Sequence, residues 1–140
     1  MRTEDKELLL KDLCARLPYG IIFQSRHNEN EVEGEGTFDF RVDDEFTLCK
    51  LKHTCELDNC KPYLRPMSSM TEEEKEEMKQ ISHDYLDEWE NTKTSLERWK
   101  LDAKVSYKRA VFYNSHHIDW NDLIPKGLAI EVTKDNNPYV

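Results

Sequence analysis

No apolar run in this chain approaches the roughly 18 residues that a membrane-spanning helix needs. The start, Met1-Arg2-Thr3-Glu4-Asp5, also lacks the apolar stretch of a secretory signal, so the expected location is the cytoplasm. Basic excess is missing as well. With 29 acidic against 20 basic residues the formal net charge is −9, and the summed field repels polyphosphates and anionic lipid. There is no nucleophile elbow, dinucleotide fingerprint, P-loop or EF-hand spacing, so an enzyme is not expected and no cofactor is implied. Gly34-Glu35-Gly36 does not substitute for a phosphate loop, because Glu29, Glu31, Glu33 and Glu35 repel the anion that its amides would cradle.

Cys14, Cys49, Cys55 and Cys60 include no C-x-x-C knuckle, and nothing points to export, so reduced, mostly buried thiols are expected. Cys49, His53, Cys55 and Cys60 are nevertheless the best zinc candidates by residue type. Their spacing opposes it. On one straight strand Cys49 and Cys55 stand roughly 20 Å apart, at about 3.3 Å per residue, whereas ligands must converge.

What is present is a modest core beneath an ionised surface, with 37% hydrophobic and 35% charged residues in 140 positions, enough for one domain. Leu9, Leu10, Leu13 and Leu17 recur at helical spacing, predicting a helix over 4–17 that Pro18 ends and Gly20 turns into an extended segment over 21–26. Residues 27–36 read as an acidic loop. Phe38, Phe40 and Val42 alternate with polar residues, as in a half-buried strand, and a return strand over 46–53 with a short piece at 55–57 follows. Four short strands in about forty residues suit a small antiparallel sheet or SH3-like barrel. Pro62 and Pro66 make 61–66 a crossing from sheet to helix.

Thr71 and Glu74 form a capping box at a clear helix start. Met78, Ile81, Tyr85, Trp89, Thr92, Leu96, Trp99 and Ala103 then step by three or four, which fits either one long helix or two helices joined at Asn91–Ser95. A further helical stretch is expected over 104–115, a turn over 119–124 closed by Gly127, and a last strand through Leu128, Ile130 and Val132. The tail from Lys134 is expected to fray. The expected fold is α+β: over 1–66 an N-terminal helix with the small sheet or barrel, over 67–140 a mainly helical half, packed as one domain.

Three blocks, Leu17-Pro18-Tyr19-Gly20, Lys61-Pro62-Tyr63-Leu64-Arg65-Pro66-Met67-Ser68-Ser69-Met70-Thr71-Glu72-Glu73-Glu74 and Leu123-Ile124-Pro125-Lys126-Gly127-Leu128-Ala129-Ile130, carry a resemblance. With them the chain resembles short uncharacterised proteins of gut Bacteroides-type bacteria and their phages or prophages. The resemblance implies a mobile-element setting and no catalytic residue. The stretch from about Met78 to Tyr107 departs from the pattern.

Two constellations remain. His116 and Asp119 share a helix face at three-residue spacing, which would suit a metal-dependent hydrolase, although histidines near a helix C-terminus ordinarily complement the dipole. Lys93, Arg98, Trp99, Lys100, Lys104, Tyr107, Lys108 and Arg109 interleave cations with aromatics against the overall charge, so residues 93–109 are the candidate binding surface. The leading expectation is a non-enzymatic protein-binding module. A nucleic-acid-associated module using that stretch is the alternative.

Overall fold

The computed structural model describes residues 2–26, 37–42 and 60–140. Helix α1 spans Thr3–Arg16 and runs through a short 3-10 turn, Leu17–Tyr19, into strand β1, Ile21–Arg26. Gly20 makes that corner with φ of +68°, a left-handed backbone geometry that favours glycine. Strands β2 (Thr37–Val42) and β3 (Cys60–Leu64) follow, then helices α2 (Glu72–Glu90) and α3 (Ser95–Ser115) and the two-residue strand β4, Ile130–Glu131.

The architecture is mixed α+β. The strand order is β2-β1-β3-β4, with β1 antiparallel to both neighbours and β4 parallel to β3. Among the described residues this sheet is open, edged by β2 and β4, and it does not close into the expected SH3-like barrel. The return strand over 46–53 and the piece at 55–57 lie outside the described residues.

Residues 61–64 are not a crossing but part of an inner strand, with Phe23 opposite Pro62. Proline is tolerated there because the β3–β4 ladder begins at Tyr63, one residue later, so the missing N–H interrupts no bond on that side. Leu9 and Leu13 of α1 lie on Ile21, Phe23, Cys60 and Leu64 of the sheet, and Leu123, Leu128 and Ala129 close the core. Each fully buried leucine contributes roughly 1.5–3 kcal/mol by leaving water.

Two polar assemblies fix the helical half to the sheet. Asp12 and Arg16, one turn apart on α1, are 2% and 0% exposed and paired at 2.7 Å, and Arg16 Nη2 donates to the Ile118 carbonyl at 2.7 Å. Asn121 Nδ2 donates to Asp12 at 2.8 Å. The second assembly surrounds Arg65, whose two terminal nitrogens donate to the Glu74 carboxylate at 2.9 and 2.6 Å. Glu74 also accepts from the Thr71 amide in the predicted capping box, and His116 Nδ1 lies 3.0 Å from it. The Arg65 backbone bonds to His117 and Asp119 in a parallel bridge, so one residue ties β3 to the start of α2 and the end of α3.

The Arg65 guanidinium, above all, holds the Glu74 carboxyl down from 4.5 to about 2. Burial, then the charges of Arg16 and Arg41, lowers His117 from 6.5 to about 4. Both groups bind fewer protons folded than unfolded, so their stabilisation is present above the unfolded values and is lost as pH falls. Stability is therefore expected to drop first between about pH 6.5 and 4 through His117, then between about 4.5 and 2 through Glu74. In urea titrations across that range, Glu74→Gln should flatten the lower step, worth about 2–3 kcal/mol, and leave the upper one. An unchanged lower step would contradict this assignment.

The tail does not fray at Tyr139. Its hydroxyl accepts from the Ile22 amide at 3.1 Å and lies 2.7 Å from the Tyr63 carbonyl, bridging β1 and β3 where their direct pairing has ended at Phe23. His117, at φ +59°, stacks its ring on Tyr139 at 3.8 Å between centroids.

Candidate functional site

The long stripe read from the sequence breaks at the α2–α3 corner, as one of the two expected readings had it, and the two helices form a hairpin. Thr94 caps α3 by accepting from the Glu97 amide at 3.1 Å, while Glu97 reaches back to the Lys93 amide at 2.7 Å. One expected helix, 104–115, is the second half of α3. Past the corner the stripe changes partner. Ile81 and Tyr85 of α2 are half-buried, but the α3 residues buried beneath are Leu101, Val105 and Phe112, whereas Leu96, Trp99 and Ala103 lie on the opposite face. Tyr107 extends that outer row.

Leu96 is 72% exposed, Trp99 65% and Tyr107 71%, at helical spacings of three and eight residues with exposed Ala103 between. This aligned apolar row is the largest uncovered hydrophobic feature on α3 among the described residues. Scattered apolar residues on a surface need no explanation, whereas a lined-up row with two aromatics is not a scatter.

The cations of the predicted surface do not all join it. Arg98 lies over the Trp89 ring at 4.8 Å and donates to Thr92, and Arg109 donates to Ser82 at 3.1 Å, so both turn toward α2 and lock that side of the hairpin. Tyr85 adds a 2.6 Å bond to Asp102, whose carboxylate raises the phenol's pKa. Lys93 sits in the corner. Lys100, Lys104 and Lys108 form a row beside Trp99, Ala103 and Tyr107, and that row borders a groove shared with Asp84 and Glu88. The groove's two hollows, about 150 and 230 Å³, are below the 300 Å³ or more typical of small-molecule sites.

The other candidates are placed apart. His116 faces Glu74, while the Asp119 oxygens accept from the Leu123 and Ile124 amides at 2.9 Å, capping the predicted turn. With both carboxylate oxygens so engaged, Asp119 and His116 do not converge on a common point. Cys60 is buried in the core with its sulfur 3.8 Å from Ser25 Oγ, and Cys49, His53 and Cys55 lie outside the described residues. Among the described residues no three His, Cys, Asp or Glu side chains gather as a metal site, and no helix is long and apolar enough to cross a membrane.

Comparison of the chain with family models, with curated proteins and with solved structures found no match.

Proposed function

We propose that this chain is a non-enzymatic protein-binding module that engages its partner through the outer face of α3. The carrying observation is the alignment of Leu96, Trp99 and Tyr107, all more than 60% exposed on one face of a helix whose other face is already buried. Trp and Tyr are the residues that most often dominate binding energy at protein interfaces. The accessory role in a phage-like or mobile-element setting follows from the resemblance of the three sequence blocks and shares this reading.

The test exploits the row's independence from the core. Trp99→Ser with Tyr107→Ser is expected to shift stability by no more than about 0.5 kcal/mol, since surface changes away from packed features do little. The same variant should lose the partner captured by the wild-type protein from cells that make it, read by quantitative mass spectrometry of the bound fraction. Retention of the same partner at wild-type yield would refute the assignment.

A further inference from the structure

The chemistry flanking the row identifies the kind of partner it fits. By helical spacing Lys100 neighbours both Leu96 and Ala103, and Lys104 neighbours Tyr107, so these two lysines border the apolar face, while Lys108 lies further round in the groove toward α2, where Asp84, Glu88 and Glu97 also stand. The opposite border is Ser95, Asp102 and Ser106, and Asp102 is engaged by Tyr85. The lysines of α2 behave differently. Lys75 and Lys79 pair with Glu72 and Glu76, whereas among the described residues no carboxylate forms an ion pair with Lys100, Lys104 or Lys108.

A second copy of this chain is a poor occupant. An antiparallel twofold pairing of α3 with itself sets each border against its own copy, lysine on lysine, and a parallel pairing offers the lysines one carboxylate already engaged. The acidic helix α2 has charge to offer, with nine carboxylates and two lysines, but Ile81 and Tyr85 already face α3, and of its exposed apolar residues Leu86 and Trp89 the Trp89 ring already lies under Arg98.

We infer that the α3 face binds an acidic amphipathic helix of another protein, its apolar stripe lying on Leu96, Trp99, Ala103 and Tyr107 and its carboxylates alongside Lys100 and Lys104. This rests on the proposed function and deepens it. Helix-in-groove recognition uses anchors at this spacing, and charge complementarity along one border fixes which way the incoming helix lies.

The experiment places a photo-reactive phenylalanine analogue at Ala103 of the full chain, irradiates cells that make it, and sequences the cross-linked peptide. An acidic segment with apolar residues at three- and four-residue spacing is the expected product. The charge-reversed variant K100E/K104E should lower the cross-link yield at least about fivefold, and Lys→Gln at the same positions should lower it less. In lysate, raising salt from about 0.05 to 0.5 M should weaken the wild-type cross-link and change that of the Lys→Gln variant less. Cross-linking to a second copy, to a basic or neutral segment, or to nothing overturns the inference, as does full yield from the charge-reversed protein. If the Trp99 and Tyr107 changes abolish capture while lysine reversal does not, the binding surface stands and the acidic partner alone is refuted.

Discussion

Asp12→Ala is expected to destabilise the protein by about 3–5 kcal/mol, a large part of the 5–15 kcal/mol that holds a typical domain together. The substitution strands the Arg16 guanidinium, 0% exposed, with only the Ile118 carbonyl and no countercharge among the described residues. It also removes the acceptor of Asn121. Arg16→Met should cost a comparable amount by leaving the buried Asp12 charge behind. The double variant Asp12→Ala with Arg16→Met is expected to cost clearly less than the two singles together, because charge and countercharge leave as a pair. Arg16 Nη1 has no hydrogen-bond partner among the described residues, which lowers what the native pair is worth and favours that recovery. Urea unfolding followed by tryptophan fluorescence measures all three. Strict additivity would show that the two charges do not act as a unit.

Tyr139→Phe is expected to cost about 2–3 kcal/mol while changing only one oxygen. That oxygen is the shared partner of the Ile22 amide and the Tyr63 carbonyl, and burial, its first cause, holds the phenol's pKa well above the ordinary value. Without it the Ile22 amide of β1 and the Tyr63 carbonyl of β3 both lose this partner. Hydrogen exchange at the Ile22 amide should accelerate at least about tenfold, with the Gln24 amide, inside the β1–β3 ladder, affected less. Tyr139→Ala adds the loss of the ring stacked on His117 and should approach the roughly 3–5 kcal/mol of an aromatic deletion. An unaltered exchange rate at Ile22 in the phenylalanine variant would remove the phenol from this role.

Features decided within a few residues were legible in the sequence. The α1 repeat of leucines, the Thr71–Glu74 box and the left-handed glycines 20 and 127 all lie where spacing and backbone preference placed them. What depends on distant partners was not. Pro62 argued against an inner strand, and only the late start of the β4 ladder makes it acceptable. The burial of Asp12 and Arg16 depends on Ile118 and Asn121, about a hundred residues on, and leaves no local sign. The apolar stripe through 78–103 was visible, but its turning outward at the corner was not, because Leu101 and Val105 compete for the same helix and take the inner face. Of the stretch 93–109, Trp99 and Tyr107 are exposed on the outer face. Arg98 and Arg109 were grouped with them for a proximity along the chain that the helix turns into opposite directions.

The Arg16–Ile118 contact carries a consequence for biosynthesis. Residue 118 is translated 102 positions after residue 16, which at about 5–20 residues per second means a delay of roughly 5–20 s. Throughout that interval α1 exists on the ribosome without the carbonyl and amide that later cover its charges. A nascent helix in that condition exposes Leu9 and Leu13 beside an unsheltered ion pair, so a segment made early is secured late and is the natural stretch for a chaperone to hold.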